Sequence, residues 1–220
     1  MTCKQCQALE NLFDDRMAES DLKDLRRRGP SKTTRMLIEA LVRRGVIGKT
    51  ALDIGAGVGA VHLALLSAGA ISATDVDVSG AYLKAAKGEA TRLGLADHMR
   101  YIQGDFVQQA ENIEPADVVT LDRVVCCYPD MPALVGASVA RARLLYGLIF
   151  PRDVWWMRWG ASVGNLFPRL MRSGFQFYVH RTARVDAIAR DNGFERVYTG
   201  RTALWQVIVY RRPQTANSAA

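Results

Sequence analysis

The sequence predicts an α/β fold in which a seven-stranded, mostly parallel sheet is flanked by helices. Three observations lead to this prediction. Short apolar β runs alternate with helical segments from Thr50 onward, a glycine-rich turn follows the first run, and two successive β runs end the pattern. Alternating strands and helices favour parallel strands joined by right-handed crossovers. The two runs at the end favour an antiparallel C-terminal hairpin.

Two helices are predicted ahead of the sheet, as an N-terminal helical cap over residues 1–48. Apolar residues recur at helical spacing through residues 6–28, and Gly29 and Pro30 then end the helix. Ser31 is a candidate N-cap for a second helix over residues 32–44. The turn at residues 32–35 is a candidate to touch a ligand, with a purely capping role as the equal alternative.

The sheet domain is predicted to span residues 49–212, with a tail over 213–220. Helices are expected at 59–68, 80–93, 131–139 and 185–192, and Ser79 is an N-cap candidate for the second of them. A turn at Gly200 and Arg201 is expected to join the strands of the hairpin. The predicted strands are 50–54, 71–76, 99–103, 117–121, 143–150, 194–199 and 203–210.

The glycine-rich turn reads Asp53-Ile54-Gly55-Ala56-Gly57-Val58-Gly59. Glycine lets the backbone turn sharply and lets a ligand approach where a Cβ would clash. The helix that follows offers free N–H groups to a polar or anionic ligand. A glycine-rich turn can also exist without any ligand, so the motif alone is a weak signal. Its D-x-G-x-G-x-G spacing differs from the G-x-G-x-x-G of dinucleotide enzymes.

Acidic residues also follow the next three predicted strands. Asp77, with Val78 after it, ends the second strand, where a carboxylate can accept hydrogen bonds from both hydroxyls of a ribose. The third strand leads into residues 104–106, Gly-Asp-Phe, and the fourth ends at Asp122. Asp75 is expected to be a solvated strand-end or turn residue. Acids at successive strand ends indicate a nucleoside site, although aspartate after glycine is also common in plain turns.

These motifs together resemble those of class I S-adenosyl-L-methionine (SAM)-dependent methyltransferases over about residues 50–150. The resemblance implies a Rossmann-like fold, SAM as cofactor and S-adenosyl-L-homocysteine as product. In that family the first acid lies near the methionine ammonium, the second binds the ribose and the third binds the adenine. The residues implied to bind the cofactor are Asp53, Gly55, Gly57, Gly59, Asp77, Val78, Gly104, Asp105, Phe106 and Asp122.

Residues 151–180 form an insert that is predicted to line the acceptor pocket. The insert contains three of the four tryptophans, Trp155, Trp156 and Trp159, together with several arginines. Tryptophan faces suit a flat apolar acceptor and arginines suit its carboxylates. The alternative is a helix that packs its tryptophans into the core.

Two short runs faintly resemble the C-terminal region of magnesium-protoporphyrin O-methyltransferases. They are residues 150–152, Phe-Pro-Arg, and residues 164–169, Gly-Asn-Leu-Phe-Pro-Arg. The paired cysteines and the tryptophan-rich run depart from the pattern of that family. The resemblance implies a tetrapyrrole-like acceptor.

Tyr128 and His180 are the predicted catalytic residues. In methyl transfer the cofactor already carries the activated methyl group, so the protein positions the acceptor and, for a hydroxyl, removes a proton. His180 titrates near neutral pH, and Tyr128 follows the fourth strand. Their alternatives are a packed or surface histidine and a turn-capping tyrosine. A carboxylate acceptor would need no base.

Charge and cysteine content limit the kinds of partner that the chain can have. The 220 residues carry a net charge of +7, with arginine clusters that can attract nucleic acid or anionic substrates. Aromatic residues do not interleave those clusters, so solvated helix faces are expected and nucleic acid stays an alternative partner. The pairs Cys3/Cys6 and Cys126/Cys127 are expected to be reduced thiols, and no metal site is predicted.

No apolar run approaches the roughly 20 residues of a membrane span, and the first residues lack the apolar core of a secretory signal. A cytoplasmic location is therefore expected. The sequence gives no prediction of oligomeric state.

The predicted function is transfer of a methyl group from SAM to a small-molecule acceptor, on an oxygen of a flat, apolar substrate. An RNA or protein methyltransferase and a SAM-binding regulatory protein without turnover are the alternatives. Amide-methylating enzymes carry an Asn/Asp-Pro-Pro-aromatic motif after the fourth strand, where this chain reads Asp122-Arg123-Val124-Val125. The glycine spacing and the closing hairpin disfavour a nicotinamide oxidoreductase.

Overall fold

Seven strands form one sheet in the computed structural model, which describes residues 13–165 and 176–213. They are β1 Thr50–Ile54, β2 Ser72–Asp77, β3 Met99–Gln103, β4 Ala116–Asp122, β5 Ala142–Pro151, β6 Glu195–Arg201 and β7 Trp205–Arg211. Their order across the sheet is β3-β2-β1-β4-β5-β7-β6. The first five strands pair in parallel, whereas β7 is antiparallel to both β5 and β6. The predicted fold class is confirmed.

Helices join the strands and cover both faces of the sheet. In the described part of the chain they are α1 Asp15–Arg28, α2 Lys32–Val42, α3 Ala60–Ser67, α4 Gly80–Arg92, α5 Phe106–Gln109, α6 Met131–Ala140, α7 Trp155–Gly164 and α8 Thr182–Asp191. Ser31 and Ser79 are N-caps, as predicted, and accept hydrogen bonds from the backbone N–H groups of Thr34 and Tyr82. None of the helices described is long and apolar enough to cross a membrane.

The strand order creates a crevice at one edge of the sheet. From β1 the chain moves outward through β2 and β3 and then returns to the other side of β1 to form β4. The connections after β1 and β4 therefore leave in opposite directions, and the carboxyl ends of these strands face open space. Ligands of open α/β sheets bind at such a point.

Several predicted boundaries are corrected by the structure. Helix α1 begins at Asp15 because the Asp14 side chain accepts a hydrogen bond from the Met17 N–H and so caps the helix there. The hairpin turn does not lie at Gly200 and Arg201, since β6 continues through Arg201 and the chain reverses between it and Trp205. Turn-prone glycine is accommodated inside β6 because Gly200 is buried, with no room for a side chain beside Met36.

Helix α2 is part of the main core. Leu37 and Leu41 are fully buried and belong to one apolar cluster with Ile149 of β5 and Val207 of β7. Gly147 permits this approach, because a Cβ there would lie 2.7 Å from the Leu37 Cδ1 atom. The predicted boundary between the cap and the sheet domain at residues 48 and 49 thus lies after a helix that the sheet itself packs against.

Helix α1 packs mainly against α4. Ala18 is buried beside Tyr82, and the Tyr82 hydroxyl donates to Asp21 at 2.5 Å. Arg26 pairs with Glu89 at 2.7 Å, and hydrogen bonds from Arg92 and Arg26 lower the Glu89 pKa to about 2. These contacts hold α1 above the carboxyl edge of the sheet.

Leu37→Ala is expected to lower the free energy of unfolding by about 2–5 kcal/mol, because it empties a fully buried position between α2 and the sheet. Urea unfolding followed by circular dichroism measures this change. Ile47→Ala, at a position that is 79% exposed, is the matched control and should change the free energy by under about 0.5 kcal/mol. Equal small effects from both variants would mean that α2 is not part of the cooperative core.

Candidate functional site

A cavity of about 780 Å³ lies in the crevice at the carboxyl edge of the sheet. Its floor comes from the turn after β1 and the end of β2, and one wall comes from the loop after β4. Helix α1 and the start of α2 form its roof. The predicted cofactor residues that line it are Gly55, Gly57, Asp77, Val78 and Asp122.

The turn after β1 needs glycine for close packing. Gly55 has a positive φ of 63°, and a Cβ there would lie 2.5 Å from the Val124 Cγ2 atom. The turn therefore packs directly on the loop that follows β4, and its backbone faces the cavity. Any side chain at residue 55 would separate these two segments.

Asp77 presents a buried carboxylate to the cavity. Its Oδ1 accepts from the Ser79 N–H at 2.9 Å and its Oδ2 from the Gly57 N–H at 3.2 Å. Burial raises its pKa to about 6, although these backbone hydrogen bonds act in the opposite direction. At neutral pH the group is therefore mainly ionised and can accept hydrogen bonds from a ligand hydroxyl.

Asp53 and Gly59 lie behind the cavity wall. Asp53 is fully buried and accepts from the Thr120 hydroxyl at 2.7 Å, and its other oxygen lies 3.1 Å from His62 Nδ1. Gly59 is left-handed, and a Cβ there would lie 2.5 Å from His62 Nε2. Both residues hold the turn in place through His62, a buried residue to which the sequence interpretation gave no role.

Asp75 was predicted to be solvated, and this prediction is wrong. It is fully buried in β2, and no hydrogen-bond partner for its carboxyl oxygens occurs in the described residues. Burial, reinforced by the nearby Asp53 and Asp77 carboxylates, raises its pKa well above the usual range. The side chains of Asp75 and Asp77 point to the same face of β2. Their different surroundings arise because Asp77 is the last residue of the strand, whereas Asp75 lies two residues further inside.

The end of β4 is tied to the start of α2. The Thr34 hydroxyl donates to Asp122 Oδ2 at 2.6 Å, and Arg123 donates to the hydroxyls of Ser31 and Thr33. Arg123 adopts a left-handed backbone with φ 62°, which is uncommon for a residue with a side chain. Burial raises the pKa of Asp122 even though Arg123 and Thr34 favour its charged form. These bonds place Thr34 and Asp122 together on the cavity wall.

Gly104, Asp105 and Phe106, the predicted adenine turn, do not line the cavity. Asp105 caps α5 by accepting from the Val107 N–H at 3.0 Å, and Phe106 is buried in the core. The Tyr128 hydroxyl also donates to Asp105, at 3.3 Å. These contacts direct the Asp105 carboxylate toward its own helix and toward Tyr128.

The predicted catalytic residues Tyr128 and His180 are brought together, but away from the cavity lining. The His180 imidazole lies 3.1 Å from the Tyr128 carbonyl oxygen through Nε2 and stacks on the Tyr178 ring. Burial lowers the His180 pKa, which favours the neutral imidazole. The Tyr128 hydroxyl points to Asp105, so neither side chain faces the cavity wall formed by Asp122.

The aromatic wall of the cavity consists of Phe177 and Trp205. Their rings meet edge to face with centroids 6.2 Å apart, and the Arg123 guanidinium lies 5.3 Å from the Trp205 ring centroid. Phe177 belongs to the predicted substrate insert, whereas Trp205 on β7 was missed because it lies far along the chain. Only the antiparallel pairing of β7 with β5 brings it to this edge.

The tryptophans of the insert do not line this cavity and are not in the core. Trp155, Trp156 and Trp159 are 75%, 37% and 68% exposed on α7, which has no buried residue. Both interpretations of these tryptophans, as pocket lining and as core, are therefore corrected. Residues 166–175 of the insert lie outside the described residues, as do Cys3, Cys6 and residues 214–220.

Cys126 and Cys127 line the cavity as thiols. Their sulfur atoms are 3.7 Å apart, and the Cys126 thiol donates to the Arg123 carbonyl at 3.1 Å. The hydrogen bond to Cys127, together with burial, raises the pKa of Cys126 well above its usual range. Cys126 is thus a neutral, packed group at neutral pH.

Residues 52–142 match the family model described as a methyltransferase domain. These residues are therefore similar to a methyltransferase domain. Such a domain implies SAM as its cofactor, in keeping with the sequence motifs. The matched residues include β1, β2, β4 and the loop after β4, the elements that form the floor and one wall of the cavity.

Two crystal structures of magnesium protoporphyrin IX methyltransferase from Synechocystis PCC 6803 share the fold. The structure with bound S-adenosyl-L-homocysteine is 24% identical, covers 83% of each chain and has a TM-score of 0.69. The structure with bound SAM is 18% identical, covers 95% of this chain and 97% of that chain, and has a TM-score of 0.68. The fold shared with these two structures therefore includes the sheet and its flanking helices.

A curated relative is the ribosomal protein L11 methyltransferase of Aliivibrio salmonicida. It is 30% identical over 112 residues, which cover 50% of this chain and 37% of the relative. The enzyme of the same name from Deinococcus radiodurans is 34% identical over 94 residues, 41% of this chain and 34% of that protein. The chain thus spans about a third of the length of these relatives.

Asp77→Asn is expected to weaken SAM binding at least about tenfold, because an amide replaces the ionised acceptor at the end of β2. Isothermal titration calorimetry measures the change. Asp97→Asn, at an exposed turn, is the matched control and should bind like the unaltered protein. Unchanged affinity in folded Asp77→Asn protein would remove Asp77 from the cofactor site.

SAM affinity is expected to fall about tenfold between pH 7 and pH 5. The Asp77 pKa of about 6 means that the carboxylate is ionised above this value and protonated below it, so the acceptor is lost as pH falls. Calorimetry across this range tests the slope. The Asp77→Asn protein should show a flatter profile, and an identical slope in both proteins would assign the titration to another group.

Proposed function

We propose that this protein is a SAM-dependent methyltransferase that acts on an oxygen of a flat, apolar small molecule. The observation that carries the proposal is one continuous cavity with two chemically different ends. One end has the Gly57 turn and the Asp77 carboxylate, which suit a nucleoside. The other end has Cys127, Phe177 and Trp205, which suit an apolar acceptor.

The size of the cavity supports a small acceptor. Its volume of about 780 Å³ falls within the range of roughly 300–1,000 Å³ typical of small-molecule sites. Helix α1 and the start of α2 cover part of it.

Cationic side chains on the rim support an acceptor with carboxylates. Arg28, Arg35 and Arg123 line the cavity, and Arg123 is held by the Ser31 and Thr33 hydroxyls. Guanidinium groups bind carboxylates through charge-assisted hydrogen bonds. A carboxylate is already a nucleophile at neutral pH, so its methylation requires positioning and exclusion of water without a general base.

In the proposed mechanism SAM supplies the activated methyl group. Asp77 would accept hydrogen bonds from the ribose of the cofactor, and the glycine turn would let the backbone approach the bound cofactor. Asp122 and Thr34, which are hydrogen-bonded to each other on the cavity wall, would orient the acceptor toward the methyl group. Tyr128 supports Asp105 through its hydroxyl group, and His180 supports the Tyr128 loop through its ring, rather than removing a proton.

The test incubates purified protein with SAM and magnesium protoporphyrin, and measures S-adenosyl-L-homocysteine against a reaction without acceptor. We expect product above that control. Calorimetric SAM binding without turnover would retain the cofactor site and exclude this acceptor. No SAM binding by folded protein would overturn the proposal as a whole.

Protein methylation is the second candidate, because the L11 methyltransferase of Aliivibrio salmonicida matches half of this chain at 30% identity. Purified ribosomal protein L11, offered in the same assay, distinguishes the two. Turnover with L11 and none with the tetrapyrrole would replace the small-molecule proposal by this one.

Phe177→Ala is expected to raise the KM for the acceptor at least about fivefold while leaving SAM affinity unchanged, since the ring lines only the aromatic end of the cavity. Steady-state kinetics and calorimetry give the two values. Phe177→Tyr retains the ring and is the matched control. An equal loss of SAM affinity in Phe177→Ala would mean that the ring supports the whole site.

A further inference from the structure

Helix α7 exposes large apolar side chains to solvent. Trp155 and Trp159 are 75% and 68% exposed, Val163 is 53% exposed, and Trp156 is 37% exposed. The helix has no buried residue at all. Large aromatic side chains are usually buried, and contiguous exposed apolar surface marks a site of interaction.

The exposed apolar residues form one stripe. Trp155, Trp159 and Val163 are spaced by four residues, so they lie on one face of the helix, with Trp156 beside them. The polar side chains of the helix have partners within the same segment. Arg158 pairs with Asp153 at 2.9 Å, and the Ser162 hydroxyl donates to the Arg158 carbonyl. The helix is therefore amphipathic with its apolar face outward, which is opposite to a helix that packs on its own core.

The surroundings of the stripe are strongly basic. The described residues of the range 152–184 include four arginines and a single acidic residue, Asp153. Among the described ones, Arg158 is half exposed, and Arg181 and Arg184 are exposed at the start of α8, where the Thr182 N–H donates to Asp153. The exposed Leu204 lies close by, since its carbonyl accepts from the Arg152 N–H at 2.9 Å.

We propose that α7 docks this protein on the surface of a bilayer that contains anionic lipids. Exposed tryptophans insert at the boundary between headgroups and acyl chains, and arginines around them attract anionic headgroups. The ten residues of α7 extend about 15 Å, which suits a helix lying in the interface and is too short to span a membrane. The charge around the stripe favours lipid over an apolar protein surface.

Helix α7 is linked to the cavity through Asn165 and Phe177. Asn165, directly after α7, binds the Phe177 backbone twice, donating to its carbonyl at 2.7 Å and accepting from its N–H at 2.8 Å. Phe177 in turn lines the cavity. Docking through α7 would therefore bring the bilayer near Phe177 and, on the proposed function, near the end of the cavity that takes the apolar acceptor.

The experiment measures co-sedimentation of the full chain with vesicles, without cofactor or acceptor, so its outcome is independent of the proposed activity. One set of vesicles is phosphatidylcholine and the other contains about one-third phosphatidylglycerol. We expect binding to the anionic vesicles that weakens with added salt. The double variant Trp155→Ser/Trp159→Ser should lower the partition coefficient for the anionic vesicles at least about tenfold.

Ile47→Ser/Ile71→Ser is the matched control, because these residues are 79% and 55% exposed and lie on the opposite edge of the sheet. It should bind like the unaltered protein, and thermal unfolding should show that both variants are folded. Quenching of tryptophan fluorescence by lipids brominated in their acyl chains gives a second measurement, in which the unaltered protein should be quenched.

Three outcomes would overturn the proposal. They are absence of binding to anionic vesicles, binding that the tryptophan variant retains in full, and a dimer in light scattering that the tryptophan variant abolishes. The last outcome would assign the stripe to a second copy of the chain.

Discussion

The buried carboxyl group of Asp53 is the contact on which the site depends. It joins three elements, because it belongs to β1, accepts from Thr120 on β4 and contacts His62 on α3. These hydrogen bonds offset the cost of burying the carboxyl group, so they hold the three elements in one relative position. That position sets the path of the glycine turn, and the turn forms the floor of the cavity.

The roof of the cavity depends on a second set of contacts. Thr34 binds Asp122, and Arg123 binds Ser31 and Thr33, so the start of α2 is tied to the end of β4. Apolar packing of α2 on β5 and β7 fixes its far end. The N-terminal helices thus cover part of the crevice at the edge of the sheet.

The sequence by itself determined the strands of the sheet, the C-terminal hairpin, and the place of the glycine turn and Asp77 at strand ends. Those features follow from local patterns: apolar runs of strand length, glycines where the backbone turns, and acids at successive strand ends. Asp77 is the clearest example, because its place at the end of β2 follows from the strand pattern alone. Helix caps such as Ser31 and Ser79 were also predictable, since capping involves residues only three positions apart.

Only the tertiary structure decided which side chains face the cavity. Thr34 meets Asp122 across 88 residues, and Trp205 reaches the cavity by the antiparallel pairing of β7, neither of which leaves a local pattern. Asp105 and Tyr128 matched expected positions, but their hydrogen bond directs them toward each other. The tryptophans of α7 were misjudged for the same reason. Apolar character predicts burial, whereas exposure depends on what the rest of the chain leaves uncovered.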